Sequence, residues 1–131
     1  MTIVASPSSA AGRGRWLFAA PGIPATGHGP EPAFTSHDVL GLLNTGGRIA
    51  NARVLVHYPR RAPVGPYRLT VAPRRLRRIR LNDLIFPEAL RLEQPYGLVV
   101  ESDEPLVAHL GGQHSLAAAA ARTWTLAFAS T

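Results

Sequence analysis

Residues 62–84 read APVGPYRLTVAPRRLRRIRLNDL, and the pattern within them sets the fold class. Pro63, Gly65 and Pro66 punctuate the entry as turn residues, because proline fixes φ and glycine tolerates positive φ. Tyr67, Leu69 and Val71 then alternate with Arg68 and Thr70, the period of a half-buried strand. Ala72 and Pro73 break that run, and a second, basic strand follows. Strict alternation there puts Leu76, Arg78 and Arg80 on one face and Arg75, Arg77, Ile79 and Leu81 on the other. Neither face is clean enough to bury. One extra residue near Arg77–Arg78, a β-bulge, would bring Leu76, Ile79 and Leu81 onto one inward face and turn the arginines outward. Asn82-Asp83-Leu84 reads as the cap of a short helical turn before Pro87.

The strand period recurs on both sides. Residues 15–20 form a first strand with Trp16 and Phe18 on one face. Between Phe34 and Asn44 periodicity alone leaves helix or strand open, and Gly41 with the turn signals at 44–47 argues for strand. From Ile49 to Tyr58, Ala52, Val54, Val56 and Tyr58 alternate with Arg53, Leu55 and His57. Further on, 97–102 and 106–110 read as an antiparallel pair split by a turn at Asp103-Glu104-Pro105. Residues 116–122 (LAAAAAR) are the one strongly helix-favouring stretch, by alanine propensity. Residues 123–129 (TWTLAFA) alternate again, with Trp124, Leu126 and Phe128 together. About eight short strands with little helix predict an all-β, antiparallel β-sandwich in a single domain.

The chain of 131 residues is long enough to bury a core, and 46% hydrophobic content excludes disorder throughout. Residues 1–14 (MTIVASPSSAAGRG) read as a flexible N-terminal arm ahead of a domain at 15–131. The proline- and glycine-rich loop at 21–32 has few torsions left to lose and is expected to be ordered. There is no cysteine, so disulfides, thiolate metal sites and thiol catalysis are excluded. No secretion signal is visible, and no apolar run approaches the about 20 residues of a membrane helix. A cytoplasmic protein is expected. Net charge is +6, and every basic residue is arginine, a planar bidentate donor for carboxylate or phosphate. Six of the eight acids fall between Asp83 and Glu104 and can offset the basic strand.

A set of ordered matches resembles the sensory rhodopsin transducer family: Gly29-Pro30-Glu31-Pro32, Phe34, Ser36-His37 and Leu43-Asn44. Pro63–Val71 (PVGPYRLTV) is the longest, followed by Arg80, Asn82-Asp83-Leu84, Pro105 and His109. The resemblance spans Arg15 to the C-terminus. It implies a β-sandwich that assembles as a homotetramer and acts without catalysis as a soluble adaptor, passing a signal from a membrane photoreceptor. DNA and a small-molecule or sugar-like ligand are further partner classes that it implies. After His109 the chain departs from the family pattern. Leu110-Gly111-Gly112-Gln113-His114 stands where relatives carry a polar segment containing Arg and Asp.

The residues offer few alternatives to a binding protein. Ser36, His37 and Asp38 point to alternate faces of one strand and cannot converge as a nucleophilic triad. There is no phosphate loop, nucleophile elbow or zinc signature. His109 and His114 fall on opposite faces of a strand, so neither an enzyme nor a metal or other cofactor is expected. Concave sandwich faces can hold small molecules or carbohydrates, with Glu31, His37, Tyr67, Asn82 and His109 as candidate contacts. Arg75, Arg77, Arg78 and Arg80 are candidate phosphate contacts for sequence-tolerant DNA binding. With no base-reading element or aromatic interleaving beside them, the favoured reading is that they guard an edge strand from pairing or meet acids on a neighbouring subunit.

Overall fold

The computed structural model describes residues 10–25, 36–117 and 120–126, with the backbone alone for 114–117 and 120–126. Seven strands lie among these residues: β1 (Arg13–Ala20), β2 (His37–Asn44), β3 (Ala50–Tyr58), β4 (Arg61–Val71), β5 (Arg75–Arg80), β6 (Tyr96–Ala117) and β7 (Ala120–Leu126). All pairings are antiparallel. β6 is the spine. Its first half pairs with β3 on one side and β1 on the other, with β4 beyond β3. Its second half pairs with β2 and β7, with β5 beyond β2. A first sheet (β4-β3-β6-β1) and a second (β5-β2-β6-β7) are therefore halves of one curled sheet. One core joins residues of both, among them Phe18, Val54, Tyr67 and Val100 from the first and Leu40, Leu42, Ile79 and Leu110 from the second.

The all-β expectation holds, and the clearest alternating stretches behave as read. Ala52, Val54, Val56 and Tyr58 are buried on β3, as are Tyr67, Leu69 and Val71 on β4. Trp16 and Phe18 share a face of β1, with ring centroids 6.4 Å apart. Leu81–Asp83 form a 3₁₀ turn, as the cap signal suggested, but without a side-chain capping bond. The arm expected over 1–14 has its first nine residues outside the described part, and β1 begins at Arg13. Most of the loop at 21–32 also lies outside it, as does Phe128.

Four local expectations are overturned. Asp103-Glu104-Pro105 does not turn the chain back, because β6 runs through it without ending. The breakers act instead at a corner where β6 leaves β3 at Ser102 and takes up β2 at Val107. Opposite the corner, β1 advances from Arg13 to Arg15 while β6 covers 106 back to 101. Strands that change sheets do so at such bends. Gly12 sits against it at φ +108°, where an added Cβ would lie 2.0 Å from the Leu106 carbonyl oxygen. Trp16 Nε1 donates to that same oxygen at 2.8 Å.

The alanine run is not helical either. Ala117 ends β6 and Ala120 opens β7, so tertiary pairing overrides a seven-residue propensity that is too short to nucleate alone. Pro63-Gly65-Pro66 lies within β4 and not before it. Its irregularity is absorbed as a register shift against β3, with Gly65 at φ +134°. Finally, β5 has no bulge. It pairs residue for residue with β2 from Asn44–Arg75 to Val39–Arg80. As an edge strand it need bury only one apolar side chain, so Ile79 is inside while Leu76 is 61% exposed.

Candidate functional site

The unbroken register of β5 distributes the arginines. Cross-strand partners share a face, so Leu76 and Arg78 lie on the outer face, beside Leu43 and Gly41 of β2, and Arg80 beside Val39. Arg75 and Arg77 point to the opposite side. Arg75 Nη1 donates to the Arg74 carbonyl at 3.0 Å, and Arg77 Nη1 to the Thr70 carbonyl at 2.8 Å. The four candidate phosphate contacts are thus divided two and two across an edge.

The ligand candidates are divided as well. His37 and His109 share the outer face of the second sheet, since β2 pairs His37 with Gln113 and Gly41 with His109. That places His109 in the same cross-strand row as Arg78. Asn82 reaches the start of β2, its Nδ2 donating to the Ser36 carbonyl at 3.2 Å. Nearby, Asn82 Oδ1 and Arg80 Nε are buried with no hydrogen-bond partner among the described residues. Tyr67 does not join this group. It is buried in the first sheet, and its hydroxyl donates to the Glu88 carbonyl at 2.5 Å. Glu31 lies outside the described residues.

Several polar contacts depend on pairings that the sequence does not display. Asp38 is fully buried and faces the core, where it accepts a short hydrogen bond from the Tyr96 hydroxyl. Burial and the neighbouring carboxylate push the Tyr96 phenol well above its usual range. Ser36, His37 and Asp38 accordingly do not converge. Among the described residues no three His, Asp or Glu side chains come together as a metal-binding group. Asn51 donates to both Asp103 carboxylate oxygens, at 2.7 and 2.8 Å, and holds that carboxyl below its ordinary range. The 85–91 loop is braced by a two-bond fork from Arg61 to Glu88 (2.9 and 3.1 Å) and by Tyr58, whose hydroxyl accepts from the Arg91 amide. It leaves Phe86 86% exposed.

This is a β-sandwich whose polar chemistry sits on sheet faces and edges, and no described helix is long and apolar enough to cross a membrane. Such an architecture is an all-β domain built on one curled antiparallel sheet. The chain belongs to the Anabaena sensory rhodopsin transducer family, whose model matches residues 11–129. Its structure is similar to that of the Anabaena sensory rhodopsin transducer, at 38% identity and a TM-score of 0.69, covering 77% of this chain and 95% of that one. A protein of Thermotoga maritima, numbered 1070, has the same fold at 24% identity and a TM-score of 0.74, covering 90% of this chain and 94% of that one. No curated protein matches the chain.

Proposed function

We propose that this protein is a non-enzymatic signalling adaptor of the cytoplasm, assembled as a homotetramer and taking its input from a membrane photoreceptor or a comparable membrane signal. The observation that carries this reading is the extent of the match to the Anabaena transducer. It takes in nearly the whole of that chain at an identity well above the level at which fold alone is shared. The distribution of polar groups agrees with it. The Asp38–Tyr96 pair is committed to the core, and His37 and His109 lie on the outer face of the second sheet, as suits recognition more than turnover.

Light scattering on the purified chain should give four times the chain mass. Titration into a detergent-solubilised sensory rhodopsin should release measurable heat and alter the rate of its photocycle. A monomer that leaves the photocycle unchanged would remove both parts of the proposal.

A further inference from the structure

The outer face of the first sheet carries a charged row that the adaptor reading leaves unused. Arg15 of β1 pairs with Glu101 of β6, Glu101 with Arg53 of β3, and Arg53 with Arg68 of β4. Adjacent strands are about 4.8 Å apart, so the row sets three guanidinium groups against one carboxylate. Glu101 lies between Arg15 and Arg53. Arg68 is two strands away from it, and its immediate neighbour in the row is the like charge of Arg53. Like charges placed directly opposite destabilise a sheet. Neither Arg53 nor Arg68 makes an ion pair or hydrogen bond with a described residue, and both are exposed.

A cleft of about 400 Å³ opens beside this pair, lined by Asn51, Arg53, Arg68, Thr70, Ser102 and Asp103. Its far wall is fixed, because both oxygens of Asp103 are held by Asn51. Outside the lining, Arg77 Nη1 donates to the Thr70 carbonyl. Two adjacent unpaired forks, a fixed carboxylate and the Thr70 hydroxyl make a complementary surface for one oxyanion with polar substituents.

We infer that this cleft binds a small organic oxyanion, whose carboxylate or phosphate group is clamped between Arg53 and Arg68 while a hydroxyl of the ligand reaches Asp103. Bound, the anion supplies the counter-charge that the fold omits. Unbound, the opposed arginines cost stability, so replacing either one should weaken binding without lowering the stability of the empty protein. A merely solvated surface pair would show no such coupling.

The test uses the whole chain, with sodium phosphate and sodium citrate as probes, each compared with sodium chloride at equal ionic strength. Thermal unfolding and titration calorimetry should show a saturable rise in melting temperature above that in chloride. R53Q and R68Q should each weaken binding by about tenfold, the loss of one charge-assisted contact, while melting no lower than the parent when empty. R75Q/R78Q, which removes twice the charge of either single variant at another place in the fold, should leave binding intact. A response to phosphate alone assigns a phosphate group, and one to citrate alone a carboxylate. No saturable rise beyond chloride overturns the site. So does an unchanged response in R53Q and R68Q, or an equal loss in R75Q/R78Q, which would reduce the effect to net charge. Tetramer mass is read separately, so either proposal can fail without the other.

Discussion

Asn44 shows how much one polar side chain can fix when it is fully buried. Its Nδ2 donates to the carbonyls of Arg48 (2.7 Å) and Val71 (3.1 Å), and its Oδ1 accepts from the Gly46 amide at 3.0 Å. The β2–β3 turn is thereby tied to the end of β4. Asn44→Ala would strand buried backbone groups, and a loss of about 2–4 kcal/mol is expected in urea denaturation. Tyr96 makes a pH-dependent contribution of known sign. Its folded-state pKa is raised above the unfolded value of about 10, so the stability it confers is fully present below that pH. It is lost as pH rises above about 10 toward the folded value. Burial raises the Tyr67 phenol too and adds in the same direction. Melting temperature should therefore fall above pH 10, and Tyr96→Phe should flatten that fall while removing the Tyr96 hydrogen bond to Asp38 at neutral pH. The Asp38–Tyr96 contact is not visible along the chain, because the two are 58 positions apart and meet only once the sheet has curled.

Among the elements, the strands whose faces separate cleanly into apolar and polar were legible, and β3 is the plainest case. Its inward Ala52, Val54, Val56 and Tyr58 need no knowledge of a partner. What could not be read is where a turn signal is spent. Asp103-Glu104-Pro105 bends a strand because β2 and β3 both claim β6, and Pro63–Pro66 is absorbed as an irregularity because Gly65 can take positive φ beside β3. The candidate site was hidden for the same reason. Arg53 and Arg68 are evidently outward on their own strands, yet only the β3–β4 register sets them face to face. β5 supplies a direct check on its edge position. Leu76→Ser should change stability by no more than about 0.5 kcal/mol. Ile79→Ala, on the buried side, should cost about 2 kcal/mol or more. A large cost at Leu76 would mean that the face is covered. At the β6 corner, Gly12→Ala places a side chain within the Leu106 carbonyl, and a loss of about 2 kcal/mol or more should appear as a lowered melting temperature.

For the whole molecule, a net charge of +6 favours acidic partners, but the fold decides how that charge can be used. A strand that aimed all four β5 arginines at one surface would track a nucleic-acid backbone. The observed β5 sends Arg78 and Arg80 to one side and Arg75 and Arg77 to the other, where the last two already donate to backbone carbonyls. One chain can then present two β5 arginines to a duplex at a time. Each phosphate neutralised contributes about −0.9 to the slope of log affinity against log salt, so a single chain acting through this edge should show a slope near about −2. Binding that shallow is lost among competing ions at physiological salt unless several edges act together. Fluorescence anisotropy with a labelled duplex should accordingly show weak retention at low salt, release as salt rises, and no change of slope in R75Q. A slope several times steeper, weakened by R78Q, would mean that assembly gathers the outer faces of several chains onto one DNA. That result would make nucleic acid, in place of a receptor, the partner that the arginine edge serves.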